Sequence, residues 1–298
     1  MFTKFMNIVI ILMAFLINFA FILQYHSTFA QEQHLLSEVS GKFDQSHSNY
    51  NSLLKKYVHN GRVNYKGFLS SEDRFNSYLD QIGSVSADDF KTWSRDQKLA
   101  FWINAYNAFT IKAVIDNYPI ERNFGISALI YPENSIRQIN GVWDKLKFKA
   151  AGKKVTLNEI EHQILRKKFN EPRIHFTIVC ASIGCPDLNN EAYKANIINT
   201  QLDTAAVNFV NNPQKGVKID RDNKTIMLSA IFNWFGKDFI PKYGDTDLFR
   251  GRSEQERAVL NFISIYLESP NDKKFVEQND FRIKYMDYDW SLNEMNSK

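Results

Sequence analysis

The sequence predicts an α+β fold in which an antiparallel sheet is packed by several helices, one of them buried at the centre. Three observations lead to this prediction. Short β-branched and aromatic segments occur mostly in pairs separated by a tight turn, which is typical of antiparallel hairpins. Helical segments that begin with capping boxes lie between these pairs. The helix that starts near residue 96 is apolar on almost every side, which indicates a buried central helix.

Residues 1–30 are typical of a secretory signal peptide. A lysine near the start is followed by an apolar stretch over residues 8–23, and small side chains precede Gln31 at the two positions that signal peptidase recognises. We predict cleavage before Gln31, a single globular domain over residues 31–298, and a periplasmic or secreted protein. The alternative is an uncleaved membrane anchor over residues 5–23.

Composition limits the classes of function. The formal net charge of +4 over 298 residues is spread along the chain without a long basic block, so nucleic-acid binding is not predicted. No later segment is apolar enough to cross a membrane, so membrane contact is expected only through an uncleaved anchor. No cofactor is predicted, and neither the substrate nor the oligomeric state follows from the sequence.

Each predicted element has a local signal. Capping boxes at Ser94–Gln97, Thr156–Glu159 and Ser253–Glu256 mark three helix starts, and Ser229 caps a shorter helix. The predicted helices cover residues 35–58, 66–82, 96–117, 157–169, 195–211, 230–235 and 254–267. The predicted extended segments are residues 62–65, a hairpin over 143–155, a strand over 174–179, a hairpin over 217–228 and a final strand over 282–288.

Two asparagines interrupt the apolar central helix. Asn104 and Asn107 are three residues apart, so their amides share one face of the helix. A buried amide without a partner costs about 1–3 kcal/mol, so both must be hydrogen-bonded. They either fix neighbouring loop backbone or take part in a site, where an amide orients a catalytic group or donates to a developing oxyanion.

A carboxylate lies within the apolar stripe of the helix over 157–169. Glu161 is one turn from Leu157 and Leu165, and His162 lies at the edge of the stripe. A carboxylate in that position must be paired, hydrogen-bonded or protonated. Glu161 is therefore either half of a structural salt bridge, with Arg173 as a candidate partner, or a site carboxylate that orients a histidine or acts as a general base.

Both cysteines follow the predicted strand over 174–179. Four interpretations of Cys180 and Cys185 remain open: a disulfide, as expected for an even cysteine count in an exported protein; a nucleophilic Cys180 with a histidine partner; a zinc site with His162 and His175; and simple core packing.

A regular strand would separate His175 from Cys180. Residues five apart point to opposite faces and lie roughly 17 Å apart along the strand. His175 therefore activates Cys180 only if the chain bends between them; otherwise the base is His162 or a distant histidine such as His59.

Several long motifs resemble a known family. They are Leu99–Ile111, Ile160–Arg166, Pro172–Phe176, Val179–Ser182, Cys185–Pro186 and Tyr288–Asn293. Over roughly Leu53 to Asn293 the chain is similar to the family called domain of unknown function 547, which has no assigned activity. The resemblance implies retained matches to Asn104, Asn107, His175 and Cys180 and a less regular match to Cys185. It thereby favours a role for Cys180 over an obligatory disulfide.

A looser analogy concerns the papain and transglutaminase architecture, in which a central helix packs on an antiparallel sheet that carries a histidine. In those enzymes the cysteine opens the central helix, whereas here it follows the predicted histidine strand, so the analogy does not assign function.

Together the residues lead to a hypothesis of a thiol-dependent hydrolase or acyltransferase for an amide or peptide-like substrate. In this hypothesis Cys180 attacks, a histidine is the base, Glu161 orients it and an asparagine amide stabilises the oxyanion. The alternatives are a non-catalytic envelope-binding domain, in which the same residues are structural, and a zinc-dependent site.

Overall fold

The computed structural model describes residues 42–295. The predicted signal peptide, its cleavage site and the start of the predicted helix over 35–58 lie outside these residues. The chain divides into a segment up to Asp44, of which only residues 42–44 are described, and a compact unit from Gln45 onwards. Within residues 42–295, no helix has the length and apolar character needed to cross a membrane.

Helices make up most of the compact unit. The α-helices are α1 (Ser48–Tyr57), α2 (Tyr65–Leu69), α3 (Glu72–Ser84), α4 (Ala87–Thr92), α5 (Arg95–Ile115), α6 (Ser127–Ile130), α7 (Arg166–Phe169), α8 (Ile198–Val210), α9 (Ala230–Trp234), α10 (Ile240–Tyr243), α11 (Glu254–Tyr266) and α12 (Pro270–Glu277). A π-helix covers Glu159–Leu165, and 3₁₀-helices cover Ile136–Gln138, Pro172–Phe176, Ala195–Ile197 and Gly236–Phe239.

The strands form three small sheets in the described part of the chain. β1 (Val58–His59) pairs with β2 (Arg62–Val63), and β3 (Phe148–Ala150) pairs with β4 (Lys153–Val155), both antiparallel. The third sheet has the order β5 (Val217–Asp220), β6 (Thr225–Leu228) and β7 (Arg282–Tyr285). β5 and β6 form the predicted antiparallel hairpin, whereas β7 pairs parallel to β6. Small sheets with mainly antiparallel pairing, packed by several helices, confirm the predicted α+β class.

The central helix α5 is buried as predicted. Every residue from Leu99 to Ile111 is buried, and the capping box at Ser94 and Gln97 is formed in both directions. Packing on all sides explains why this stretch has no polar face. The capping boxes at Thr156 and at Ser253 are also formed.

A second layer of packing surrounds Phe176. Its ring contacts those of Phe209, Phe232 and Phe262 with centroids 5.0 to 5.7 Å apart. Phe232 comes from α9 and Phe262 from α11, so this cluster joins the helices after residue 200 to the chain just before the cysteines. Burying one such ring contributes about 1.5–3 kcal/mol, which fixes the position of residues 172–180.

The predicted strand over 174–179 is wrong. Residues Pro172–Phe176 form a 3₁₀-helix, with Pro172 in its first turn and the Glu171 side chain accepting from the Arg173 N–H. The Thr177 carbonyl and the Val179 N–H are bound to a side chain of α5 and not to a neighbouring strand. These tertiary contacts outweigh the β propensity of the branched residues.

Smaller differences concern element ends. The single helix predicted over 66–82 is divided into α2 and α3, and α2 begins already at Tyr65, inside the predicted extended segment. Helices α4, α6, α10 and α12 were not predicted. The hairpin over 143–155 is shorter than predicted but turns at Ala151 and Gly152, both of which have positive φ, as the sequence indicated.

Candidate active site

A cleft of about 210 Å³ brings together four of the six predicted site residues. Glu161, His162, His175 and Cys180 all line it. Asn104 and Asn107 do not. The remaining wall of the cleft is largely aromatic and is formed by Trp143, Trp234, Phe235, Tyr288 and Trp290.

The π-helix places two of the site residues. Its i→i+5 bonding is visible where the Arg166 N–H donates to the Glu161 carbonyl. This wider turn buries Ile160, Ile164 and Leu165 and directs Glu161 and His162, both half-buried, to the cleft. Isolated π-helical turns occur frequently at functional sites. The apolar stripe predicted at α-helical spacing therefore does not describe this segment, and Glu161 lines the cleft.

Glu161 has a carboxyl group that titrates near neutral pH. The Tyr106 hydroxyl donates to its Oε2 over 3.1 Å. Burial raises the pKa of Glu161 from its ordinary 4.5 to about 7, while the Tyr106 hydrogen bond and the charge of Arg166 counteract part of that rise. The proposed salt bridge to Arg173 is not formed, because that guanidinium pairs with Glu171 at 2.6 Å and with Asp203 at 2.7 Å. Glu161 is a partly protonated acid at neutral pH.

His175 is held by a carboxylate that the sequence analysis did not identify. Its Nε2 lies 2.8 Å from Oδ2 of Asp238, and its ring stacks on Phe235 with centroids 4.2 Å apart. Burial lowers the pKa of His175, and the hydrogen bond to Asp238 opposes that effect. The neutral ring therefore donates its Nε2–H to the carboxylate and keeps a lone pair on Nδ1. Within the described residues, no group hydrogen-bonds Nδ1.

Arg166 connects the two histidines. It donates to Asp238 through Nε over 2.6 Å and through a terminal nitrogen over 2.9 Å, a bidentate pair. Its other terminal nitrogen lies 2.9 Å from Nδ1 of His162. Burial alone would raise the pKa of Asp238, but the hydrogen bonds from His175 and Arg166 hold it well below its usual range. Asp238 is therefore a permanent anion at neutral pH.

The same contact defines the state of His162. An arginine only donates, so Nδ1 of His162 accepts and the proton of the neutral ring is on Nε2. Burial and the nearby Arg166 charge lower the pKa of His162. His162 thus offers an N–H donor and no free lone pair. His59, the distant alternative, is exposed and does not line the cleft.

Cys180 and Cys185 form a disulfide. Cys180 is half-buried and Cys185 is buried, and both sulfurs lie at the cleft. The Tyr288 hydroxyl is 3.1 Å from each sulfur, and Ser182 Oγ is 3.0 Å from that of Cys180. Of the four interpretations of the cysteines, the structure therefore shows the disulfide. A nucleophilic Cys180 requires reduction of this disulfide.

The loop between the cysteines is held by the end of the chain. Gly184 donates its N–H to the Asp289 carbonyl, and Asn293 donates its N–H to the carbonyl of Ala181, which has a φ of 57°. These bonds place Tyr288 and Trp290 against the cysteine loop. The closing motif noted in the sequence is thus part of the cleft wall.

Asn104 and Asn107 bind backbone and not the cleft. Asn104 exchanges two hydrogen bonds with the main chain of Tyr193, at 2.8 and 2.9 Å. Asn107 donates to the Thr177 carbonyl and accepts from the Val179 N–H, each at 2.9 Å. Of the two roles left open by the sequence, the structure shows the fixing of loop backbone. Both amides are buried and neither lines the cleft, so the oxyanion role that the sequence left open stays a prediction without support from this geometry.

The zinc set is not assembled either. The two cysteines are bonded to each other, and within residues 42–295 no group of three histidine, cysteine or acidic side chains is placed to hold a metal ion.

Three residues of the site were not predicted from the sequence: Asp238, Arg166 and Arg137. Asp238 binds His175, Arg166 binds His162, and Arg137 lines the cleft. Arg166 had a usable signal, because it is four residues after His162 and so lies on the same helical face. Asp238 had none, since its pairing with His175 spans 63 residues. Arg137 lies in a segment without a motif.

Part of the chain matches a known protein family. Residues 90–210 match the profile of the family described as "Protein of unknown function, DUF547". The match confirms the resemblance indicated by the motifs: over these residues the chain is similar to the DUF547 family. The matched part contains Glu161, His162, His175 and both cysteines, whereas Asp238 and the closing aromatic residues lie beyond it. No curated protein and no solved structure matches the chain.

Proposed function

We propose that the cleft is the active site of an exported, thiol-dependent hydrolase or acyltransferase that acts on an amide or peptide-like substrate. One observation carries the proposal: His175, which is hydrogen-bonded to Asp238 behind it, lines the same cleft as Cys180. A sulfur, a base with a free lone pair and a carboxylate that orients the base are the parts that nucleophilic acyl transfer needs.

The enzyme becomes competent when the disulfide is reduced. A dithiol reductant supplies two electrons and two protons, is itself oxidised to a disulfide, and leaves Cys180 and Cys185 as thiols. Export to an oxidising compartment accounts for the disulfide-bonded form of the protein. The proposal therefore includes a periplasmic or secreted location, where the thiol state depends on the local reductant.

The reaction then follows the geometry of the pair. His175 takes the Cys180 thiol proton on Nδ1, and the thiolate attacks the carbonyl carbon of the amide. The C–N bond breaks, the imidazolium returns its proton to the leaving amine, and a thioester remains on Cys180. Water hydrolyses that thioester, or a second amine accepts the acyl group. Asp238 stabilises the imidazolium throughout, as its permanent negative charge allows.

Glu161 has a different role from the one that the sequence predicted. It does not contact either histidine through a hydrogen bond, and Asp238 orients His175 instead. The carboxyl group is partly protonated at neutral pH. In its acid form Glu161 donates a hydrogen bond toward the substrate carbonyl oxygen, a role first assigned to the asparagine amides.

A non-catalytic binding domain is the second candidate. It is favoured by the disulfide itself, because the chain has two cysteines and the structure leaves neither free. In that case the aromatic cleft binds an envelope ligand, and the polar residues are structural.

Thiol labelling separates the two candidates. The Cys185→Ser variant leaves Cys180 as the sole thiol and needs no reductant. An ordinary thiol with a pKa of about 8.5 is only about 1 % ionised at pH 6.5, so activation by His175 accelerates alkylation by iodoacetamide up to about 100-fold at that pH. We expect this acceleration in Cys185→Ser and its loss in Cys185→Ser/His175→Asn.

The matched control is Cys180→Ser, which leaves Cys185 as the sole thiol. Cys185 is 3 % exposed and is expected to react slowly. Circular dichroism of each variant verifies the fold. If Cys180 in folded Cys185→Ser reacts as an ordinary thiol, and the His175→Asn substitution does not change its rate, the enzyme proposal is abandoned in favour of the binding domain.

A further inference from the structure

We infer that Arg137 binds a free carboxylate of the ligand and that the cleft takes the carboxyl-terminal end of a peptide or an N-acylated amino acid. The inference deepens the proposed function and rests on it for the reaction, but the binding step can be measured separately. Its basis is a fixed guanidinium without a counter-ion at the rim of a small aromatic cleft.

Two aromatic rings hold Arg137. The guanidinium carbon lies 4.5 Å from the centroid of Tyr131 and 4.9 Å from that of Trp290. One terminal nitrogen also donates to the Tyr131 hydroxyl over 2.7 Å. Stacking and the hydrogen bond fix the plane of the group, so less side-chain entropy is lost when it binds a ligand.

The charge of Arg137 is unpaired. Across residues 42–295 no carboxylate lies within ion-pair distance of it, in contrast to Arg166 and Arg173, which pair with Asp238 and Glu171. A guanidinium has five N–H donors, and the Tyr131 bond uses one. The remaining donors match a carboxylate, which accepts two parallel hydrogen bonds from such a group.

The size and the aromatic wall of the cleft favour a ligand whose carboxylate is at the end of its chain. Its volume of about 210 Å³ is smaller than the roughly 300–1,000 Å³ typical of pockets for drug-sized ligands. Trp234 and Tyr288 extend the aromatic wall from Trp290, with centroids 4.9 and 4.6 Å apart along the series. A single apolar residue fits such a wall, and its carboxylate reaches Arg137 while its acylated nitrogen faces the disulfide and Glu161.

The test compares an acid with its amide. Binding of N-acetylphenylalanine and of N-acetylphenylalaninamide to the oxidised full-length protein is followed by calorimetry. We expect the acid to bind at least tenfold more tightly, since a bidentate guanidinium–carboxylate pair is lost in the amide. Arg137→Gln is expected to abolish the difference, and Arg137→Lys to restore only part of it, because an ammonium lacks the planar fork.

Arg250→Gln is the matched control. Arg250 is exposed and pairs with Asp247, away from the cleft, so its loss leaves the preference for the acid intact. Equal affinity for acid and amide, or a preference that survives Arg137→Gln in a folded variant, overturns the inference. Phenyl phosphate that binds as tightly as the acid also overturns it, since the site then selects anions in general.

The proposed enzymatic function and the proposed carboxylate site can each be refuted without the other. A preference for the acid without an activated Cys180 leaves Arg137 as the anchor of a non-catalytic binding site. An activated Cys180 without a preference for the acid keeps the enzyme and removes the assigned substrate class.

Discussion

Replacement of Glu161 by glutamine is expected to make the protein more stable at high pH and to leave it unchanged at low pH. The neutral amide imitates the protonated carboxyl group: it keeps an acceptor for the Tyr106 hydroxyl and carries no charge into the buried site. The substitution therefore isolates the free energy that ionisation of this one group costs the folded state.

The magnitude follows from the pKa. The folded state holds the Glu161 proton up to about pH 7, whereas the ordinary value is 4.5. Below the lower value both states are protonated, and ionisation has no effect on stability. Between the two values only the unfolded chain loses its proton, so the free energy of unfolding decreases by about 1.4 kcal/mol per pH unit. The loss is complete above pH 7 and amounts to about 3 kcal/mol.

Urea unfolding followed by tryptophan fluorescence measures this difference. We expect Glu161→Gln and the wild type to agree within about 0.5 kcal/mol at pH 4.5, and the variant to be more stable by about 3 kcal/mol at pH 8.5. Glu277→Gln is the control, since Glu277 is exposed at the end of α12. A difference between Glu161→Gln and wild type that stays constant from pH 4.5 to 8.5 would refute the reasoning, because it would show that folding does not raise the pKa of Glu161.

Three further outcomes are expected. Asp238→Asn in the Cys185→Ser protein slows alkylation of Cys180 about tenfold or more at pH 6.5, because the base loses the charge that supports its protonated form; an unchanged rate would exclude Asp238 as the orienting group. Asn107→Ala lowers the free energy of unfolding in urea by about 2–4 kcal/mol, since one carbonyl and one N–H of residues 177–179 become unpaired; a loss below 0.5 kcal/mol would show that water replaces the amide. Reduction of the disulfide lowers the free energy of unfolding by about 2 kcal/mol, as expected for a loop this short, and leaves the fold intact by circular dichroism; global unfolding would contradict a reducible enzyme.

The sequence was sufficient for elements whose signals are local. The capping boxes predicted the starts of α5 and α11 closely, and the apolar run from Leu99 to Ile111 predicted burial on all sides. The hairpin β5–β6 followed from two alternating segments around a polar turn. In each case the information lies within a few residues, so tertiary contacts had little to override.

The segment before the cysteines shows where local signals are insufficient. Its branched residues indicated a strand, but Asn107 of α5 takes the hydrogen bonds that a neighbouring strand would need. The resulting bend brings His175 and Cys180 to one cleft, which a regular strand forbids. The π-helical turn around Glu161 likewise follows from packing and not from the periodicity of its sequence.

Long-range pairing also separates the roles of the two histidines. With His175 placed in a regular strand, the base was predicted to be His162 or a distant histidine such as His59. Nδ1 of His162, however, accepts from Arg166 and leaves only an N–H for other groups. His175 has the opposite arrangement, because Asp238 accepts its Nε2–H and Nδ1 keeps the lone pair. Both assignments depend on Arg166, which donates to His162 and to Asp238 at once. Arg166 thus leaves His162 as a hydrogen-bond donor only and, through its pairing with Asp238, supports His175 as the base. Loss of the Arg166 guanidinium is therefore expected to affect both histidines.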